Sequence, residues 1–218
     1  MRIAAVIPIK TKNQRLPGKN TKVLGDKPLM NHLFDTLKNN ELISEIFINS
    51  SDPNILKEAT LYNYTSIQRP IELNGPHIQA NDLLQFELNY IDYPIIVELF
   101  VTSPFLTNNT INKAIKILID NNDIDSVFGV SELYNRYWIN NETPLNHDPY
   151  KLIGTQYMKP IYGEANFYVF RKRVFLQENS RITKRHRYIL VNKLEAIDID
   201  DEIDFTIAEY LYKEKLKK

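Results

Sequence analysis

The chain has 218 residues, 43% hydrophobic and 11% aromatic, which fits one α/β domain with a substantial core. Its 27 basic and 27 acidic side chains balance, so no global field favours nucleic acid or an anionic membrane, and any anion site has to be local. The absence of cysteine excludes disulfides, thiolate catalysis and cysteine-ligated metal. No apolar run approaches the roughly 18 residues of a membrane span, and the first residues lack the pattern of an export signal. The expectation is a soluble, cytoplasmic protein.

In chain order, apolar runs at 3–7, 46–48, 95–100, 126–130, 167–170 and 188–191 are strand candidates. Amphipathic stretches separate the early ones. Within 28–39, Leu29, Leu33, Phe34 and Leu37 share one helix face. Pro53 suits a first helical position after Asp52. Residues 80–91 and 110–120 read alike, the latter with Asn108 or Asn109 as cap. Strands alternating with helices predict a Rossmann-like, mostly parallel sheet flanked by helices. Residues 134–162 break the pattern. They are aromatic and polar, hold Pro144, Pro149 and Pro160, and show no period. They read as an excursion, part hairpin, that walls a ligand site or makes a dimer contact. Residues 204–218 predict a C-terminal helix whose final lysines favour its dipole. No repeat or linker divides the chain, so 1–218 reads as a single domain.

Directly after the first strand candidate come Lys10, Lys12, Arg15 and Lys19, with no acid among them. Open α/β sheets bind ligands at the C-terminal ends of such strands. That density of cations suits a polyphosphate better than a neutral metabolite. Pro17-Gly18 makes a tight turn that brings Arg15 and Lys19 together. On composition alone, a solvated basic loop reads equally well.

Near the other end lies Asp198-Ile199-Asp200. In an extended stretch its two carboxylates point to one face. Such a pair suits Mg²⁺, or Mn²⁺ in its place, which takes a few carboxylates together with phosphate oxygens and water. The competing reading is a helix cap, which fits Asp201 and Asp204 better than Asp198. The four histidines show no metal-ligand spacing, and neither a G-x-S-x-G elbow nor a Walker loop is present. Acyl hydrolase and P-loop NTPase chemistry are thereby set aside.

The phrase Arg15-Leu16-Pro17-Gly18-Lys19-Asn20, following Val6-Ile7-Pro8, resembles the nucleotide-binding loop of the cytidylyltransferases that make CMP-activated acidic sugars. That group includes the acylneuraminate (CMP-sialic acid) and CMP-Kdo synthetases, with a fold of the nucleotide-diphospho-sugar transferase type. Residues 196–205, Ala-Ile-Asp-Ile-Asp-Asp-Glu-Ile-Asp-Phe, resemble their C-terminal metal motif. Lys27-Pro28-Leu29, Asn49-Ser50-Ser51-Asp52, Thr102-Ser103-Pro104 and Asn166-Phe167-Tyr168 lie between the two in the family's order, so the resemblance covers almost the whole chain.

The resemblance implies transfer of CMP from CTP to a sialic acid-like or other keto-deoxy sugar, release of pyrophosphate, Mg²⁺ dependence and a homodimer. It implies that Arg15, Lys19, Asp198 and Asp200 are catalytic and that Asp198 and Asp200 hold the metal. It places Lys10, Gln14, Arg15, Lys19, Asn81 and Asp82 at the nucleotide, and Thr102, Ser103, Asn166 and Tyr168 at the sugar. Local alternatives stand beside these roles: a helix cap for Asn81 and Asp82, a turn for Thr102-Ser103, and a surface salt bridge for Arg69. For Arg181, Lys184, Arg185, His186 and Arg187, a solvated face is weighed against a grip on an acidic acceptor or a partner subunit.

The chain also departs from the family pattern. Thr11, Lys12, Asn13 and Gln14 stand where the sialate branch has glycines and a serine-lysine pair, and Phe100 and Val101 replace a glutamine and a proline. Two further readings follow. One is the same fold acting on another nucleotide or acceptor; the other is a nucleotide-binding homologue without catalysis, against which the retained Asp198 and Asp200 argue.

Overall fold

The computed structural model describes residues 2–10, 13–75, 77–140 and 142–216; Thr11 and Lys12 of the basic loop lie outside the described residues. In chain order the elements begin with β1 (Ile3–Pro8), β2 (Val23–Leu24), β3 (Lys27–Pro28), α1 (Leu29–Leu37), β4 (Glu45–Ser50), α2 (Pro53–Leu61) and β5 (Thr65–Gln68). There follow α3 (Ala80–Glu87), β6 (Ile95–Leu99), α4 (Asn108–Asp120), β7 (Ser126–Leu133), β8 (Trp138–Ile139) and β9 (Thr143–Pro144). The chain closes with β10 (Ile161–Arg171), α5 (Lys172–Glu178), β11 (His186–Leu190) and α6 (Glu202–Leu216).

β1 is apolar on both faces because both are covered. Ile3, Ala5 and Ile7 enter one buried layer, while Ala4 and Val6 enter the other. The main sheet runs in the order β11-β7-β10-β6-β1-β4-β5. β1 pairs in parallel with β4 and β6, and β4 with β5. Only β10 runs against its neighbours β6 and β7, so the sheet is mostly parallel as expected. Leu33 and Phe34 of α1, Ile55 of α2 and Ile115 of α4 pack on the first face. Leu84 of α3 and Phe175 of α5 pack on the second. A third cluster joins Phe205 and Ala208 of α6 to Leu16, Leu24 and Ile199, which brings the last helix against the basic loop.

Each strand candidate falls on an observed strand, although 95–100 and 188–191 each run one residue past the ends of β6 and β11. The short pair β2 and β3 and two further elements, β5 and α5, escaped the sequence reading. β5 buries only Ile67, and α5 is a seven-residue helix that buries Val174 and Phe175. α4 begins earlier than expected, and its cap is Thr107 rather than Asn108 or Asn109. The excursion does contain a hairpin, β8 against β9.

Between α3 and β6 lies an unusual pair of carboxylates. Glu87 is fully buried, and neither side-chain oxygen has a hydrogen-bond partner among the described residues. Burial, with the neighbouring Glu98 adding to it and Arg69 opposing it, holds the Glu87 carboxyl well above the ordinary range. The folded state therefore keeps a proton that the unfolded chain has already lost, so stability falls as pH rises above the unfolded carboxyl value. We expect the parent to be less stable at about pH 8 than at about pH 5, and Glu87→Gln to flatten that slope. Urea unfolding at both pH values measures it, and an unchanged slope in the variant removes Glu87 as the cause.

Candidate active site

The strand order reverses between β1 and β6, since β1 is followed in the sheet by β4 on its other side. Ligands of open α/β sheets bind at such a switch point, beyond the C-terminal strand ends. A cleft of about 320 Å³ opens there. Lys10, Asn13, Lys19 and Asn20 line it from the β1 loop, and Gln79, Ala80 and Leu83 from the start of α3. Thr102 lines it after β6, and Asp198 and Asp200 after β11.

Gly18 turns the basic loop with φ +68°, a left-handed conformation that glycine adopts without strain. The turn sends Lys19 inward, where it is 6% exposed. Its Nζ donates to the Ile199 carbonyl at 2.6 Å and meets Asp200 Oδ1 at 3.3 Å. Arg15 Nη2 reaches Asp200 Oδ2 at 2.8 Å. The expected phosphate cations and the expected metal carboxylate are thus one cluster, assembled from residues 180 apart.

The acidic segment is fixed by its middle residue. Ile199 donates its N–H to the Thr102 carbonyl at 2.9 Å, and its side chain is fully buried. Asp198 and Asp200 flank it and both line the cleft, as period-two alternation requires. The helix cap is real but belongs to their neighbours. Asp201 Oδ1 accepts from the N–H groups of Ile203 and Asp204, while Asp204 Oδ2 accepts from those of Asp200 and Asp201. This reciprocal box leaves the Asp198 and Asp200 carboxylates out of the capping.

Asp198 Oδ1 is buried and has no partner among the described residues. A desolvated carboxylate oxygen without a donor is costly unless a cation satisfies it. Among the described residues no group of three or more His, Cys, Asp or Glu side chains suits a metal. A cation at this pair would fill its shell with water and phosphate oxygens, which fits Mg²⁺.

The remaining expected residues divide. Lys10 and Thr102 line the cleft. Gln14 is exposed and outside the lining. Asn81 Nδ2 donates to the Asn179 carbonyl at 2.8 Å. Asp82 Oδ2 accepts from the Gln79 N–H at 3.1 Å, so it caps α3. Ser103 is buried in the turn after β6. Tyr168 is 2% exposed and lies beneath Arg181 rather than in the lining. The side chain of Asn166 lies outside the described part of the structure.

Among the described residues Arg69 makes no surface salt bridge. It is 1% exposed, and its Nη2 donates to the Asn49 carbonyl at 3.0 Å. The basic group at 181–187 is not one solvated face either. Arg185 pairs with Asp125, Arg187 with Asp123, and Arg181 turns into the cleft against Glu98. Sequence reasoning also passed over Asn20. Its Nδ2 donates to the Lys10 carbonyl at 2.7 Å, while its Oδ1 is buried without a partner among the described residues. Its place at the end of the loop phrase was the available signal.

Known proteins resemble this chain in sequence and in fold. The chain is similar to the CMP-N,N'-diacetyllegionaminic acid synthase of Legionella pneumophila, 26% identical over 247 residues that cover 97% of this chain and 96% of that one. It is similar to the N-acylneuraminate cytidylyltransferase of Streptococcus agalactiae serotype V, 26% identical over 237 residues, 100% of this chain and 56% of that longer protein. In fold it resembles a CMP:2-keto-3-deoxy-manno-octonic acid synthetase complexed with CTP, with a TM-score of 0.74 at 13% identity, covering 99% of this chain and 100% of that one. The cytidylyltransferase family model matches residues 4–217. With that match across nearly its whole length, the chain belongs to the cytidylyltransferase family.

Proposed function

We propose that this protein transfers CMP from CTP to a hydroxyl of an acidic keto-deoxy sugar, sialic acid-like in kind, and releases pyrophosphate. The acceptor hydroxyl loses its proton to solvent as its oxygen bonds to the α-phosphorus, and the bond from that phosphorus to the bridging oxygen of the β-phosphate breaks to release pyrophosphate. Such transfer depends on positioning and charge neutralisation more than on covalent chemistry by the protein. The observation that carries this reading is the Arg15–Asp200–Lys19 cluster beside the unpartnered Asp198 at the β1/β6 switch point. Lys10, Arg15 and Lys19 supply the positive charge for the β- and γ-phosphates. Asp198 and Asp200 would hold Mg²⁺, which when bound polarises the α-phosphate.

The relatives support the substrate class through the CMP-sugars in their names. A homodimer belongs to the same proposal: Trp138, Tyr150, Leu152 and Tyr157 of the excursion leave an apolar surface for a second copy to cover. So does a cytoplasmic location, where CTP is available; no helix among the described residues is long and apolar enough to cross a membrane.

Pyrophosphate release tests the reading, with the four ribonucleoside triphosphates each offered against several keto-acid sugars. CTP should outpace ATP by roughly tenfold or more, the worth of one or two hydrogen bonds misplaced on the wrong base. Equal turnover with all four nucleotides would remove the cytidylyl specificity and leave nucleotidyl transfer.

A further inference from the structure

Arg181, from the segment between α5 and β11, is a cleft cation that no phosphate role accounts for. With Gln79 and Ala80 it also lines an adjoining hollow of about 250 Å³, walled further by Asn81, Glu164 and Ser180. Lys10, Lys19, Asp198 and Asp200 do not line that hollow, so it continues the cleft away from the phosphate end. Arg181 stands at the seam.

Its guanidinium is held in a fixed plane. Nη1 donates to Glu98 Oε2 at 2.9 Å, and Glu98 on β6 is 1% exposed. The guanidinium carbon lies 3.8 Å from the centre of the Tyr168 ring and 5.6 Å from that of Phe100. Tyr168 stands directly opposite Glu98 in the β10–β6 register, so anchor and platform come from paired strands. Burial pushes the Glu98 carboxyl up to about 7 against the pull of Arg181, so near neutral pH it orients the guanidinium while cancelling only part of its charge. The guanidinium makes no other hydrogen bond among the described residues, and its side chain is 22% exposed. A planar fork bound along one edge keeps donors free for a second carboxylate. The far wall has the opposite character. Glu164 there already accepts from the Tyr168 hydroxyl at 2.7 Å, and Asn81 and Ser180 are polar and uncharged.

We propose that Arg181 reads the carboxylate of the acceptor, through the guanidinium donors that Glu98 leaves free, with the sugar's neutral polar substituents lying in the adjoining hollow. Glu98 and Tyr168 are positioning residues. The inference rests on the CMP transfer proposed above and adds which residue selects for an acid.

The test compares the full chain with Arg181→Met and Arg181→Lys in steady-state pyrophosphate release, using CTP and the keto-acid sugar on which the parent is fastest, beside the methyl ester of that sugar. In Arg181→Met the KM for the acid should rise by about tenfold or more, the loss expected of a charged hydrogen bond. The KM for CTP should stay within about twofold, and Arg181→Lys should recover part of the loss. The parent should prefer acid over ester, and Arg181→Met should treat the two alike. Should Arg181→Met be insoluble because Glu98 is left buried and unpaired, Arg181→Met with Glu98→Gln removes both charges and serves in its place. An unchanged KM for the acid, a kept preference over the ester, or an equal rise in both KM values overturns the assignment. A parent that releases no pyrophosphate with any keto-acid sugar overturns the proposed function instead.

Discussion

Lys19→Ala should lower both thermal stability and CTP affinity, whereas Arg15→Ala should lower affinity alone. The two cations share Asp200 but differ in what else they hold. Lys19 is buried, and its ammonium closes the loop onto the Ile199 carbonyl. Truncation strands that carbonyl beside a cavity, at a cost of about 1.5–3 kcal/mol. The Arg15 side chain is 67% exposed and its partner 36%, so solvent screens their pairing and its loss should cost about 0–1 kcal/mol of folding free energy. Each should weaken CTP binding by about tenfold or more, as one charge-assisted phosphate contact is lost. Thermal melts and CTP titrations of the two variants measure the split. Unchanged affinity in both would show that the loop is not the phosphate site, and a parent-like melting temperature for Lys19→Ala would show that the loop closure carries no stability.

Asp198→Asn should leave the fold intact while activity falls by orders of magnitude. The α6 cap does not use this side chain, and Asn matches its shape. Replacing a half-buried carboxylate whose Oδ1 has no partner among the described residues by a neutral amide is expected to cost little or nothing. It removes a formal charge from the place where Mg²⁺ would sit, so activity should recover in part at high Mg²⁺ or with Mn²⁺. Asp201→Ala is the contrasting variant. It deletes the cap and should cost about 0.5–2 kcal/mol of stability. Melts and rates measured across a Mg²⁺ titration separate the two. Full activity of Asp198→Asn at limiting Mg²⁺ makes the carboxylate structural.

What the sequence disclosed follows from burial. β1 stood out because both its faces are covered, so it is a continuous apolar run, and β6 is apolar but for Glu98. β5 was silent because it is an edge strand with only Ile67 inside, and its polar residues carry no contrast. β10 was read at 167–170 but runs from Ile161 to Arg171. Its register shifts between Ala165 and Tyr168, so strand alternation cannot be counted through that stretch. In the site, Arg15, Lys19, Asp198 and Asp200 were legible because their spacing is local and their residue types are particular to the chemistry. Arg181 was not. In sequence it stands beside Lys184, Arg185 and Arg187, and what sets it apart is a carboxylate 83 positions earlier on another strand. A partner at that separation is chosen by the sheet order, which the local pattern does not encode.

The clasp between Lys19 and residues 199–200 also fixes the order in which the protein can become competent as it is made. Synthesis delivers the cationic loop near the start of the chain and its counter-charge only after β11 has emerged. Through that interval Lys19 and Arg15 lack Asp200, and Leu16 and Leu24 lack the apolar side chains of α6 that later cover them. A stalled or truncated chain thus displays an uncompensated basic loop beside exposed leucines, open to stray polyanions and to association. Residues 199–216 remove both hazards in one step, so pairing of the basic loop and protection of the nascent surface are a single event.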